Sequence, residues 1–92
     1  MSVVRITTVT FKSQQAADAA AQSYKSNAVS EFPSASQLIG MTSEGHKLTA
    51  ISVYASQEAM DASDAARNKR MANPEIISMD VLVGDVSLNH TN

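Results

Sequence analysis

Few side chains in this chain could do acid–base or anion chemistry, so each can be weighed. Tyr54 ends the alternating run LTAISVY, where its hydroxyl could hydrogen-bond a ligand or donate a proton. The competing expectation is a packing aromatic with its hydroxyl at the surface. Arg5 lies in VVRITTVTF and Asp80 in IISMDVLVGD, on strands expected to be neighbours and, by alternation, on one face. A guanidinium there could hold a carboxylate or a phenolate. The alternative is a structural ion pair or a subunit contact. His46, beside the turn residues Ser43-Glu44-Gly45, could serve as a base near neutral pH at a pocket mouth, or be a solvated turn residue. His90 falls in the tail. Tyr24 and Asn27 share one helical stretch, and Met60, Ser63 and Arg67 share another. Tyr24 could line a pocket or sit in the core. Met60 suits either core filling or an adaptable apolar pocket. A serine such as Ser63 with no base beside it is not a nucleophile.

The elements that must position these groups follow from periodicity. Val3, Arg5, Thr7, Val9 and Phe11 alternate with Val4, Ile6, Thr8 and Thr10, which predicts a first strand. Ser13 is an expected N-cap for a helix over residues 14–31, where Ala17, Ala20, Ala21, Tyr24 and Ala28 recur at helical spacing. So much alanine on one face predicts a helix lying close to what it covers. Phe32-Pro33 ends it. Residues 37–42 predict a strand in which Gly40 marks a bulge or a close approach. A hairpin leads into a strand over 46–55. Ser56 is an expected N-cap for a second helix reaching about Ala72, ended by Asn73-Pro74. Glu58 and Asp61 suit its start, and Arg67, Lys69 and Arg70 its end. A last strand is expected over 75–88.

Strand, helix, strand, strand, helix, strand is the ferredoxin-like βαββαβ order, an α+β fold with two helices on one face of a four-stranded antiparallel sheet. Alternation assigns Val4, Ile6, Ile51, Val53, Ile77, Met79, Val81 and Val83 to the helix side, because they are the more uniformly apolar and β-branched set. Val3, Arg5, Val9, Phe11, Leu48, Tyr54 and Leu82 go to the other side, which is too apolar to leave in water. A second copy laid sheet against sheet is its simplest cover, so a homodimer is expected.

Composition narrows the classes. The 92 residues are expected to form one domain over 1–92, of a size that buries only about 60–65% of its unfolded surface. A net charge of -2, no basic block and only two Tyr and two Phe argue against nucleic-acid binding. No cysteine is present, which excludes disulfides and thiolate chemistry, and the histidines lack ligand spacing, so no metal site is expected. There is no glycine-rich phosphate loop and no GxSxG elbow. No apolar run approaches the roughly 18 residues of a membrane span, so no membrane partner is expected. The start MSVVRITTVTF lacks signal-peptide features, which together with the missing cysteine points to the cytoplasm.

The run VYASQEAMDAS resembles the strand-to-helix signature of antibiotic biosynthesis monooxygenase-like domains. Tyr54 stands at its aromatic position, and Ser56, Glu58, Ala59 and Met60 fit. Ala55 stands at its acidic position and Ser63 where that family often has histidine. The resemblance implies a homodimeric α/β barrel with a pocket in each subunit between sheet and helices. Some relatives oxidise polycyclic phenols with no metal or flavin, and some degrade haem. On this likeness the expected function is cofactor-independent oxidation of an aromatic or polyketide-like molecule. Tyr54 and Arg5 are its candidate catalytic residues, and Ser63, Met60, Tyr24, Asp80 and His46 its candidate pocket residues. A dimer that holds a small apolar ligand without turnover, and a purely structural dimer, stay open beside it.

Overall fold

Two serines set where the helices begin. Ser13 has extended backbone, and its side chain accepts a hydrogen bond from the Ala16 N–H at 3.0 Å, capping α1 (Gln14–Glu31). Ser56 does the same for α2 (Gln57–Asp61) through the Ala59 N–H at 3.2 Å. A computed structural model describes residues 2–92 of the chain. Around these helices it places β1 (Val3–Phe11), β2 (Ala35–Ser43), β3 (Lys47–Tyr54), α3 (Asp64–Met71) and β4 (Ile76–Asp85). The strands form one antiparallel sheet in the order β2-β3-β1-β4. The helices cover one face, which makes the fold ferredoxin-like.

The core lies under α1. Val9, Phe11 and Leu48 from the sheet close on Ala17, with Ala16, Ala20, Ala21 and Tyr24 packed around them. The alanine stripe lets the helix lie close to the strands, as its composition predicts. A smaller cluster of Val3, Tyr54 and Met60 lies under α2.

Two features of the fold correct the sequence reading. First, the helix side carries Val3, Arg5, Val9, Phe11, Leu48 and Tyr54, whereas Val4, Ile6, Ile51 and Val53 face the other way. The physical reason is that the helix side must fill an uneven space with groups of different size. The smooth β-branched set instead suits a flat surface. Met79, Val81 and Val83 pair with Val9, Thr7 and Arg5 and so do lie on the helix side. Asp80 pairs with Thr8, on the opposite face from Arg5, and the expected Arg5–Asp80 pair does not form.

Second, the helix after Ser56 breaks at Ala62-Ser63 into α2 and α3. Ser63 donates its hydroxyl to the Met60 carbonyl at 2.6 Å, and such a bond competes with continued helix. Gly40 resolves as a close approach, and the register irregularity in β2 falls at Ala35–Gln37 instead. The last strand ends at Asp85, short of the expected Leu88, although the Val86 N–H still reaches the Ser2 carbonyl at 2.9 Å.

Candidate functional site

A cavity of about 540 Å³ opens between the helix side of the sheet and helices α1 and α3. Its size falls in the range of ligand pockets, about 300–1,000 Å³. Val9, Phe11, Leu48 and Leu38 from the strands give it an apolar floor. Polar groups come from both layers: Arg5, Thr7, Ser52 and Tyr54 from the sheet, Ser23, Tyr24, Glu31, Arg67, Lys69 and Arg70 from the helices, and Asn73 after them.

Two of the three arginines are neutralised and fixed. Arg70 donates to Glu31 through Nε–Oε1 at 2.8 Å and Nη2–Oε2 at 2.9 Å, and Nη2 also reaches the Ser23 carbonyl at 3.1 Å. Such a fork fixes the guanidinium in direction as well as place. Its carbon stands 5.5 Å from the centre of the Tyr24 ring. Arg5, which is buried, donates to Ser63 Oγ at 2.9 Å and to Asp64 Oδ1 at 3.1 Å, and lies 5.8 Å from the Tyr54 ring centre. Each guanidinium is thus paired with an acid and set beside a tyrosine.

Arg67 differs. No carboxylate lies within ion-pair distance of it among the described residues, and its contact with Met79 Sδ is long, at 4.0 Å. Its Nε is buried with no partner, and so is the hydroxyl of Tyr54, a side chain wholly buried. A buried donor left unpaired costs about 1–3 kcal/mol. Two such donors on residues that line one cavity are a feature to explain. Burial first, and then the neighbouring Arg5 charge, lower the Arg67 pKa from its usual value, while Asp64 and Tyr54 act the other way. An anion beside Arg67 would offset both effects by favouring its charged form.

Burial also pushes the Tyr24 phenol above its usual 10.0, with Tyr54 adding to the rise and Arg70 opposing it. The unfolded chain therefore loses this proton at a lower pH than the folded chain. Stability associated with the neutral phenol is complete below pH 10 and is lost as pH rises through the folded-state value. Denaturation midpoints should fall as pH is raised above about 10, and fall less steeply in Tyr24→Phe. Equal slopes would show that the phenol is not desolvated.

Of the residues singled out in the sequence, Tyr54, Arg5 and Tyr24 line the cavity. Ser63 and Met60 stand behind it: Ser63 holds Arg5, and Met60 packs on Tyr54. Asp80 is on the far face of the sheet, so it does not join them. His46 lies at the hairpin turn, where it and Gly45 adopt left-handed backbone with φ of 62° and 84°. That turn carries its ring to Gln14, 3.3 Å away, rather than to the cavity. Arg67 was noted only as sharing a helix with Met60 and Ser63 and, with Arg70, as charge at its end, and Glu31 and Asp64 were not singled out. The 63, 67, 70 spacing puts Ser63, Arg67 and Arg70 on one face, a usable signal, but a basic helix end also serves the dipole. Nothing local marks the Glu31–Arg70 pair, which joins residues 39 apart. No group of three or more His, Cys, Asp or Glu placed to hold a metal occurs among the described residues. No described helix is long and apolar enough to cross a membrane.

No protein-family model and no curated protein matches the sequence. Solved structures do match its fold. A dimeric ferredoxin-like protein from an uncultured marine organism superposes with a TM-score of 0.78 at 11% identity, over 99% of this chain and 92% of that one. The monooxygenase ActVA-Orf6 of Streptomyces coelicolor, solved with the ligand nanaomycin D, gives 0.72 at 11% identity over 98% and 91%. SnoaB, a cofactor-independent oxygenase from Streptomyces nogalater, gives 0.68 at 10% identity over 96% and 95%. These proteins and this chain share the ferredoxin-like fold.

Proposed function

We propose that this chain forms a homodimer whose cavities bind a small aromatic molecule bearing an acidic hydroxyl and oxidise it with O₂, without a cofactor. The observation that carries this reading is the pair of unpartnered buried donors, Tyr54 Oη and Arg67 Nε, on two residues that line one cavity. A phenol or enol oxygen accepting from both would satisfy them. Both favour the anion over the neutral hydroxyl, because one donor is cationic and the site is partly withdrawn from water. Rings of the ligand would rest on Phe11, Val9 and Leu48.

The chemistry then belongs to the substrate. Its hydroxyl proton leaves to solvent, and the electron-rich phenolate reduces O₂. A C–O bond forms at a ring carbon bearing hydrogen. The O–O bond then breaks with return of a proton, and that ring hydrogen is lost. One oxygen atom becomes a carbonyl and the other leaves as water, so a phenol and O₂ give a quinone and H₂O. Tyr54 and Arg67 hold the substrate oxygen, an anion before the C–O bond forms and a carbonyl after it, and Arg5 sets the Tyr54 ring.

Support for the dimer comes from the open face of the sheet. Val4, Ile6, Ile51 and Leu82 lie there side by side, Leu82 with 66% of its surface exposed. A face this apolar is an interaction surface, and one of the similar folds is dimeric.

A second reading, ligand binding without turnover, has its own support. Among the described residues the one carboxylate lining the cavity, Glu31, is held by Arg70, so no free carboxylate base faces the ligand. Oxygen uptake with 1-naphthol and anthrone separates the two. The oxygenase reading expects one O₂ consumed per quinone formed, with loss of uptake in Tyr54→Phe. Saturable binding without uptake selects the second reading, and neither binding nor uptake removes both.

A further inference from the structure

We propose that Tyr24 is a partition that divides one elongated binding site into two chambers, and that Gly40 is the clearance its ring requires. The inference rests on the reading of the cavity as a ligand site and adds what sets the length of the ligand. A second hollow of about 330 Å³ lies against α1 and β2, lined by Ala21, Ala28, Val29 and Gly40. Tyr24, Leu38 and Leu48 line both hollows. Leu38 and Leu48 belong to the sheet beneath, and Tyr24 reaches down from α1, so its ring is the wall between them.

The ring's place is determined from two directions. The Arg70 guanidinium, itself locked to Glu31 and Ser23, stands over its face. On the β2 side, a Cβ added at Gly40 would lie 3.1 Å from both Cδ2 and Cε2 of Tyr24. That is closer than ordinary carbon contacts, so any other residue at 40 must push the ring away from β2. Glycine weakens a strand, and in a strand it commonly marks such an approach. With the ring in place, the main cavity takes ligands of two or three fused rings. A longer fused aromatic, or one with an apolar extension, reaches the second hollow only when the ring gives way. Tyr24 is thereby a specificity-determining residue, and Gly40 a positioning residue that acts through it.

The test compares wild type, Tyr24→Ala, Gly40→Val and the double variant, with 1-naphthol, anthrone and a linear four-ring phenol as probes. Binding is read by calorimetry and stability by denaturation. Tyr24→Ala should bind the four-ring phenol at least about tenfold tighter than wild type does, a step of the size a steric pocket wall supplies. Gly40→Val should weaken the two- and three-ring probes, and should change nothing further when Tyr24 is already alanine. The same coupling should appear in stability without any ligand: Gly40→Val destabilises only in the presence of the ring. Equal cost of Gly40→Val in both backgrounds would overturn the contact. An unchanged order of ligand sizes in Tyr24→Ala, with ligands still binding, would overturn the partition and leave the ligand site standing. Failure of every probe to bind any of the four proteins would remove both.

Discussion

Replacing Arg67 by methionine should weaken binding of 1-naphthol by roughly 10- to 100-fold while leaving the protein as stable as wild type, or more so. The two signs come from one cause. In the free protein the guanidinium is partly withdrawn from water, crowded by Arg5, and left with a buried Nε that bonds to nothing. A methionine of similar length removes that burden and keeps the packing. With ligand bound, the same guanidinium donates to an oxygen anion, and a hydrogen bond to a charged group is worth about 1.5–3 kcal/mol. At about 1.4 kcal/mol per tenfold, that is the stated loss of affinity. Tyr54→Phe should show the same opposition of signs, with a smaller loss of affinity, because a neutral donor contributes less. A variant that lost stability and affinity together would mark Arg67 as a structural residue. Calorimetric titration and urea denaturation on the same preparations decide between these outcomes.

Ile6→Glu should convert the protein from a dimer to a folded monomer. Ile6 sits at the middle of the open face, paired with Ile51 on β3 and Leu82 on β4. In the proposed sheet-to-sheet interface it meets the same face of the partner. A carboxylate there would be buried twice, once from each copy, without a counter-charge, and a buried unpaired charge costs far more than such an interface can offset. In the monomer the side chain at 6 is half-buried on the open face, where a carboxylate can still reach water. Sedimentation should report about twice the 9.8 kDa chain for wild type and a single chain for the variant. Leu82→Glu serves as the second variant, since Leu82 is largely exposed in the single chain and cannot be needed for its fold. A dimer unmoved by both substitutions would place the interface elsewhere, and a monomeric wild type would remove the barrel.

The strand and helix order and both serine caps were legible because each is a local property of a few neighbouring residues; Gly40 signalled a bulge or a close approach, and the choice between them is made by the Tyr24 ring. What failed depended on packing over distance. Both faces of β1 carry β-branched residues, and in β3 only the Thr49, Ile51, Val53 face does, so hydrophobicity favoured the face that the helices leave open. The choice went to the smoother face, and the face with Arg5, Thr7, Ser52 and Tyr54 was the buried one. A cavity needs that mixture of sizes and polar atoms, so the irregular face was in fact the better candidate for the helix side. The same inversion broke the Arg5–Asp80 pairing, because a change of one residue in parity sends a side chain to the other face. Tyr54 and Arg5 could still be singled out, since their chemistry stood out in a chain this plain. Arg67 could not, because the property that distinguishes it is an unpaired nitrogen, visible only once every neighbour is placed. The break at Ser63 was hidden similarly: it depends on that serine bonding both to Met60 and to an arginine 58 residues away.

The central claim is that Tyr54 and Arg67 hold an oxygen anion. Its most direct test is the near-ultraviolet spectrum of 1-naphthol bound to the protein, titrated with pH and compared with the free compound. The naphtholate band should appear at lower pH when bound than when free, and the shift should shrink in Tyr54→Phe and in Arg67→Met. A naphthol that binds with its ionisation unshifted, or shifted to higher pH, would show a cavity that accepts the ring and ignores the oxygen, and would contradict the account.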